Sequence, residues 1–191
     1  MEKIQALSRA LIEKSPWTNG HAHRVMKYAL AVGCELGLAR EELESLRLAG
    51  LLHDIGKIET CASILEKNGK LSFREWEQVK KHSAKGAEMV LEFGDAEPGI
   101  APVIRHHHER WDGTGYPDGL RGEEIPFLSR ILLVADAFDS MTADRPYRKA
   151  PGLEYALYEI MRCAGTQFDP SVVHAFLSIA HGLPFPENSS I

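Results

Sequence analysis

The segment LLHDIGK at residues 51–57 places an imidazole, a carboxylate and an ammonium among apolar neighbours. Folded proteins rarely bury three such groups together unless the charge of a metal or substrate compensates them. Three further features of this kind follow along the chain, namely His82, the triplet His106–His108, and Asp136 within the apolar run ILLVADAFD. Because imidazoles and carboxylates are ligands of divalent transition metals, the sequence predicts a metal-centred hydrolase.

Seven side chains could supply the ligands of such a centre. Two divalent metals bridged by a carboxylate and a hydroxide need about seven or eight protein donors. That number is reached by His21, His53, Asp54, His82, His107, His108 and Asp136. The remaining histidines are interpreted as ordinary core or surface residues, and they are His23, His106, His174 and His181.

Asp136 shares a helix face with Leu132 and Leu133, so it is expected to point toward the core. An unpaired buried carboxylate would cost several kcal/mol or become protonated, and a bound cation is a simpler explanation than a pairing arginine. Asp139 lies one turn further on. It could support the site as a hydrogen-bond partner of a ligand or face solvent, and the sequence leaves both open.

Helical periodicity dominates the chain, and no convincing strand alternation is present, so the predicted fold is all-α. The predicted helices cover about residues 21–37, 40–53, 73–92, 127–143 and 170–180. The helix over 73–92 begins at a capping box, Ser72 with Glu75, and would place His82 in its middle.

Two segments between these helices bear on the site. In the segment 98–108, the four-residue spacing puts His107 and His108 on the apolar face and turns His106 elsewhere. The segment 109–126 is rich in Gly, Pro and Asp, which predicts a long loop. A loop of this length in a compact domain usually has a function.

The composition sets the general class of protein. A chain of 191 residues with 44% hydrophobic and 26% charged residues predicts one globular domain. Neither a membrane span nor a signal peptide is recognised, which predicts a cytoplasmic protein without membrane contact. The net charge of −5 argues against binding of a nucleic acid polymer, but it allows a small phosphate-bearing ligand held by a few local cations. The three cysteines are far apart and are expected to be buried thiols rather than disulfides or metal ligands.

These residues resemble a known family. His53–Asp54, with His21 upstream and Asp136 downstream, is similar to the HD phosphohydrolase superfamily. A further set of motifs resembles the HD-GYP branch of this superfamily. These motifs are His82, His107-His108-Glu109, Gly115-Tyr116-Pro117 and Asp144-Arg-Pro-Tyr-Arg148. The resemblance runs from about residue 18 to residue 177, which is nearly the whole chain.

The resemblance implies an HD-domain-like bundle of roughly seven helices. It divides the chain into a helical lead-in (1–17), an HD-GYP catalytic domain (18–182) and a tail (183–191). It also implies a phosphodiesterase that opens cyclic di-GMP to linear pGpG, and in some members on to GMP, by means of a hydroxide that bridges two metals.

The family pattern assigns the seven ligands to two metals. One metal is held by His21, His53 and Asp136, the other by His82, His107 and His108, and Asp54 bridges them. Some relatives bind a third metal through a Glu four residues before the first His, but Trp17 stands at that position and cannot ligate. Two divalent ions are therefore expected, iron or manganese first, with nickel and cobalt as alternatives.

The resemblance also assigns residues to the substrate. Lys57 is expected to contact the scissile phosphate and to protonate the departing 3′ oxygen, whereas the plainer interpretation is a solvated lysine at a helix end. Arg145 and Arg148 match positions that grip phosphates, although some relatives carry lysine at the second. Tyr116 would lie beside the substrate, where it could hydrogen-bond a phosphate or stack near a guanine. Alternatively, its loop, with Trp111 and Pro117, is a protein-docking surface.

Two other functions stay open at this point. The substrate could be another cyclic dinucleotide, such as cyclic GMP-AMP, because no base-reading residue is recognisable. The chain could also be a non-catalytic module that docks a GGDEF-type diguanylate cyclase through the Gly-Tyr-Pro loop. Because relatives usually append this domain to a receiver or sensory domain, the chain is expected to be either a free-standing enzyme or a fragment of a multidomain regulator.

Overall fold

A computed structural model describes residues 17–67, 69–92, 99–144 and 149–183. These ranges contain nine α-helices, one of them only four residues long, and no strand beyond an isolated bridge between Ala164 and Phe168. The helices are α1 (Trp17–Glu35), α2 (Arg40–Leu52), α3 (Ala62–Leu65), α4 (Phe73–Lys80), α5 (His82–Glu92), α6 (Ile100–His106), α7 (Phe127–Thr142), α8 (Leu153–Arg162) and α9 (Pro170–Ile179). Short 3₁₀ turns cover Ile55–Glu59, Gly122–Glu124 and Ala180–Gly182. The predicted all-α fold is confirmed.

One hydrophobic core holds the helices together. Helix α1 packs against α2 and α7, while α5 packs against α6 and the turn Ile55–Glu59. The buried rings of Tyr28, Phe138 and Phe176 join α1, α7 and α9, with successive centroids 5.0 Å apart. Edge-to-face aromatic pairs of this kind fix the relative position of helices. They therefore fix the two helices, α1 and α7, that carry His21 and Asp136.

Several predicted helix boundaries agree with the structure to within two residues. Helices α2, α7 and α9 begin and end close to where the periodicity and caps place them. Asp169 acts as the predicted N-cap of α9, because its side chain accepts a 2.8 Å hydrogen bond from the Ser171 N–H. Helix α1 begins four residues before the predicted start.

The predicted single helix over 73–92 is wrong, because the chain breaks at Lys81 into α4 and α5. The Lys81 N–H donates to the Gln78 carbonyl, three residues back, at 3.3 Å, and the His82 ring lies 2.6 Å from the Val79 carbonyl oxygen. Side chains that compete for backbone carbonyls commonly tighten or end a helix. His82 is consequently the first residue of α5, not a residue in the middle of a helix.

Helices α3 and α8 were not predicted. Helix α8 buries Ala156 and Ile160 and packs Leu153 and Leu157 against the core, which is the spacing of an amphipathic helix. The sequence therefore carries the signal for α8, and the prediction missed it.

The expectation of buried cysteines is wrong. Cys34 and Cys61 are exposed, and Cys163 is partly exposed. Cys34 lies two residues after the buried Val32 in α1, and two residues rotate a helix about 200°, so the thiol faces outward.

Two other predictions concern the ends of the chain and membranes. Among the helices of the described ranges, none has both the length and the apolar character required to cross a bilayer. The predicted lead-in falls outside the described residues except for Trp17, and the tail does so except for Leu183.

Candidate metal centre

The structure brings all seven predicted ligands together. Two groups of three side chains each have donor atoms within 4.8 Å of one another, and they are His21, His53 and Asp54, and His82, His107 and His108. Asp136 adjoins the first group, with its Oδ1 3.3 Å from the His21 Nε2 atom. The ligands come from the start of α1, the end of α2, the start of α5, the end of α6 and the inner face of α7.

Asp54 lies between the two groups. Its Oδ1 is 3.4 Å from the Nε2 atom of His82, whereas its Oδ2 is 3.6 Å from that of His53 and 3.8 Å from that of His21. Each carboxylate oxygen thus faces a different group. This is the arrangement that a carboxylate bridging two cations requires.

Three of the histidines are oriented in the same way by the backbone. The Nδ1 atoms of His53, His82 and His107 lie 2.9, 2.6 and 2.6 Å from the carbonyl oxygens of the third residue before each. Because a carbonyl can only accept, each Nδ1 carries the hydrogen and each Nε2 has a free lone pair directed into the pocket. Hydrogen bonds of this kind fix the tautomer of metal-binding histidines in other proteins.

The free lone pairs provide a test of whether a cation fits. The Nε2 atoms of His82 and His107 face each other at 3.3 Å, and the buried His53 Nε2 has no hydrogen-bond partner within the described part of the chain. Facing lone pairs repel, and a buried acceptor without a partner costs free energy. A divalent cation between these atoms removes both costs, so the donor set fits a metal.

The protonation states also suit metal binding. Burial, helped by the nearby Lys57 ammonium, lowers the pKa of His82 to about 4, and burial lowers that of His108 to about 3 and that of His107 well below its usual value. Burial alone would raise the pKa of Asp54, but Lys57 and the surrounding imidazoles hold it well below its usual value. His82, His107 and His108 are therefore neutral imidazoles and Asp54 is an ionised carboxylate, which are the forms that bind metals.

His21 is held from behind by Asp139, which is buried on α7. The His21 Nδ1 atom lies 2.7 Å from the Asp139 Oδ2 atom, and Arg24 donates to both Asp139 oxygens at 2.6 and 3.0 Å. Burial disfavours the charged imidazole, but hydrogen bonds to Asp136 and Asp139 outweigh it and raise the pKa of His21 to about 9. The sequence left open whether Asp139 supports a ligand or faces solvent, and the structure places it beside the candidate ligand His21.

Lys57 lies against the bridging carboxylate. Its Nζ is 2.6 Å from the Asp54 Oδ2 atom, and its side chain is 23% exposed. The ammonium therefore supplies positive charge at the edge of the pocket, and part of the Lys57 side chain is in contact with solvent.

Gly56 allows the two halves of the pocket to meet. A Cβ atom built on Gly56 would lie 2.0 Å from the His82 carbonyl oxygen and 2.6 Å from the Gly86 nitrogen. Only a residue without a side chain permits this approach of the turn Ile55–Glu59 to α5. The contact brings Asp54 within reach of His82.

The Gly-Tyr-Pro loop lies over the second group of ligands. The Tyr116 ring centroid is 4.8 Å from that of His108. The loop is anchored by the buried Glu109, whose Oε1 accepts hydrogen bonds from the N–H groups of Asp118 and Gly119 at 2.7 and 3.0 Å. At Gly115, a Cβ atom would come within 2.6 Å of the backbone of residues 108–110, so the loop packs directly on the histidine segment.

The other predicted residues lie elsewhere. The Nδ1 atom of His106 is 3.5 Å from the Asp118 Oδ2 atom, outside the two groups, and His23, His174 and His181 are exposed. Arg145 and Arg148 fall outside the described residues.

Sequence reasoning missed the role of Arg24 in holding Asp139, and it missed that of Glu109 in anchoring the loop. Only Glu109 left a signal, as the residue that follows the two histidines.

Comparison with known proteins identifies the family. Residues 5–172 match the family described as "HD domain", and the chain belongs to it. Within that family, the chain belongs to the HD-GYP branch.

Two curated relatives are similar over most of this chain. The chain is 36% identical, over 95% of its length, to the 3′3′-cGAMP-specific phosphodiesterase 3 of Vibrio cholerae serotype O1. It is 38% identical, over 92% of its length, to the cyclic di-GMP phosphodiesterase response regulator RpfG of Xanthomonas campestris. The matches cover 39% and 47% of those proteins, so the chain spans less than half of their length.

A solved structure shares the fold. A cyclic GMP-AMP-specific phosphodiesterase of Vibrio cholerae superposes with a TM-score of 0.71 at 25% identity, covering 94% of this chain and 48% of that one.

Proposed function

We propose that this chain is a metal-dependent phosphodiesterase that opens a cyclic dinucleotide, with cyclic di-GMP as the first candidate substrate. The observation that carries the proposal is the set of free Nε2 lone pairs around a carboxylate whose two oxygens face different groups of ligands. Relatives named as cyclic dinucleotide phosphodiesterases support the substrate class. The linear dinucleotide pGpG is the expected product.

Two divalent ions would occupy the pocket. His21, His53 and Asp136 would hold one, His82, His107 and His108 the other, and Asp54 would lie between them. Such ions, when bound, lower the pKa of a shared water and neutralise the charge of the phosphate oxygens. Iron or manganese is the first expectation for their identity, followed by nickel or cobalt.

The remaining residues would bind and protonate the substrate. The Lys57 ammonium, at the edge of the pocket, would contact a phosphate oxygen and donate a proton to the departing 3′ oxygen. Burial raises the pKa of Tyr116, so its hydroxyl stays protonated and can donate a hydrogen bond to phosphate. Asp139 would hold the His21 ring in place. The predicted phosphate contacts of Arg145 and Arg148 remain predictions.

Cyclic GMP-AMP is a second candidate substrate, favoured by the Vibrio cholerae relative whose name specifies it. Docking of a GGDEF-type protein by the Gly-Tyr-Pro loop remains an alternative from the sequence, as does a cytoplasmic location.

A product assay tests the proposal. The chain, loaded with iron or manganese under anaerobic conditions, would be incubated with cyclic di-GMP, cyclic GMP-AMP and cyclic di-AMP, and the products separated by chromatography. We expect a linear dinucleotide from at least one substrate. We expect His53→Ala to reduce its formation more than about 100-fold, because loss of a group that only orients a ligand already costs about 10- to 100-fold. The matched control is His174→Ala, an exposed histidine on α9, which should keep wild-type activity.

Full metal occupancy without hydrolysis of any of the three substrates would contradict the proposal and favour the docking alternative.

A further inference from the structure

Helix α4 borders the candidate metal centre without contributing to the hydrophobic core. None of its eight residues is buried, and two of its aromatic side chains, Phe73 and Trp76, are 78% and 44% exposed. The helix is held largely at its start, by the capping box of Ser72 and Glu75 and by a salt bridge from Lys67 to Glu75. Folding therefore does not explain why a large apolar ring stands at position 76.

Trp76 continues a line of rings that begins in the metal pocket. The ring centroids of His107 and His108 are 4.0 Å apart, those of His108 and Tyr116 are 4.8 Å apart, and those of Tyr116 and Trp76 are 6.2 Å apart. The last two rings meet at 82°, so they form an aromatic corner at the outer edge of the pocket. A ligand whose phosphate reaches the metal centre would extend along this line toward solvent.

Two lysines border the corner, and each is paired with a carboxylate. The Lys80 Nζ atom lies 5.9 Å from the centre of the Tyr116 ring and forms a salt bridge with Glu77 of the same helix, while Lys57, on the pocket side, is paired with Asp54. A phosphate would compete with these carboxylates for the two ammonium groups. Cations close to an exposed aromatic ring are the usual surroundings of a nucleotide, whose phosphate is attracted by the charge while its base stacks on the ring. A peptide partner would need a wider apolar surface than these two rings provide.

Resting on the proposed function, we propose that Trp76 stacks on one nucleobase of the cyclic dinucleotide whose phosphate lies at the metal centre. The ring thereby favours dinucleotides over small phosphodiesters that bind only through the phosphate. Since every base has a π-face, this contact selects nucleotides as a class and leaves the choice between guanine and adenine to other groups.

The experiment compares two substrates on the metal-loaded chain. One is cyclic di-GMP, and the other is methyl 4-nitrophenyl phosphate, a diester without a nucleobase. For Trp76→Ala we expect a higher KM and a loss of about five- to 150-fold in kcat/KM on cyclic di-GMP, which is the range that removal of one base-stacking ring produces. On the small diester, kcat/KM should stay within about twofold of wild type, because the phosphate site is unchanged.

Two further variants separate stacking from a structural role. Trp76→Phe keeps an aromatic face and should recover most of the kcat/KM on cyclic di-GMP. Phe73→Ala is the matched control, because Phe73 is an exposed aromatic residue of the same helix that lies one turn earlier. It should leave the kinetics of both substrates unchanged.

Each other outcome overturns the inference in a recognisable way. Wild-type kinetics of Trp76→Ala on cyclic di-GMP would show that no base contacts the ring. Equal losses on both substrates would show that Trp76 acts on the metal centre through Tyr116. If the wild-type chain cleaves the small diester but no cyclic dinucleotide, the proposed function itself is wrong, and the inference fails with it.

Discussion

The Asp139→Asn variant tests the contribution of the Asp139 hydrogen bond to the orientation of His21, while His21 itself stays in place as a candidate metal ligand. In the folded chain, Arg24 donates to both Asp139 oxygens, and the His21 Nδ1 atom lies 2.7 Å from one of them. If the amide oxygen of asparagine keeps the hydrogen bond from Arg24, the amide NH₂ group faces the His21 Nδ1 atom. That nitrogen must then accept, which moves the ring hydrogen to Nε2, the atom directed into the pocket.

The size of the effect follows from this tautomer change. Loss of the group that orients a metal-binding histidine typically costs about 10- to 100-fold in metal affinity, which is about 1.4–2.7 kcal/mol. We expect this loss at the site that contains His21, His53 and Asp136. The site formed by His82, His107 and His108 should stay within about twofold of wild type, because Asp139 contacts none of its ligands in the described structure.

The assay is competition for manganese or cobalt against a chromophoric chelator, with urea unfolding of the metal-free variant to measure stability. Asp169→Asn is the matched control, since Asp169 is also a buried carboxylate bound by an arginine, Arg130, at 3.0 Å. It should lose stability while both metal affinities stay unchanged. A folded Asp139→Asn variant that binds two ions as tightly as wild type would refute the reasoning.

Three further predictions concern the packing and metal dependence of the site. Gly56→Ala should lower the free energy of unfolding by more than about 3 kcal/mol in urea titrations, because its Cβ would overlap the His82 carbonyl. The control Gly182→Ala, whose Cβ would meet no atom within 4 Å, should change the free energy of unfolding by less than about 1 kcal/mol. Equal effects of the two substitutions would be inconsistent with a close approach of Gly56 to His82. Glu109→Ala should speed amide hydrogen exchange at Asp118 and Gly119 at least about tenfold, since a hydrogen bond to a carboxylate contributes about 1.5–3 kcal/mol. The control Glu124→Ala should not change this exchange, and unchanged exchange in Glu109→Ala would show that other contacts hold the loop. When the free metal concentration is 100 times the Kd, removal of the metal by a chelator should lower the free energy of unfolding by about 2.7 kcal/mol per site. A melting temperature that does not change on addition of the chelator would argue against a metal site in the folded state.

The sequence predicts well those parts of the site that depend on local spacing. His107 and His108 are adjacent, so the four-residue rule can separate them from His106, and the structure agrees with that assignment. The cap at Asp169 and the boundaries of α7 are equally local features. The seven candidate ligands could be chosen because each is a charged or imidazole group in an apolar or motif context.

The parts that the sequence does not predict depend on contacts between distant segments. The break at Lys81 accompanies a backbone approach by Gly56, which lies 26 residues from His82 in the chain. Asp139 remained ambiguous because the groups that hold it, His21 and Arg24, are 118 and 115 residues away. No periodicity in a single segment records such pairs, so their geometry becomes visible only in the folded chain.

The most direct test of the account is the number of metal ions that each chain holds. Elemental analysis of anaerobically purified protein should give two divalent ions per chain in the wild type and one in His82→Ala, because the group around His21 and Asp54 remains intact in that variant. A wild-type chain that holds no ion, a single ion or three, or a His82→Ala variant that still holds two, would contradict the assignment of these seven side chains to a dinuclear centre.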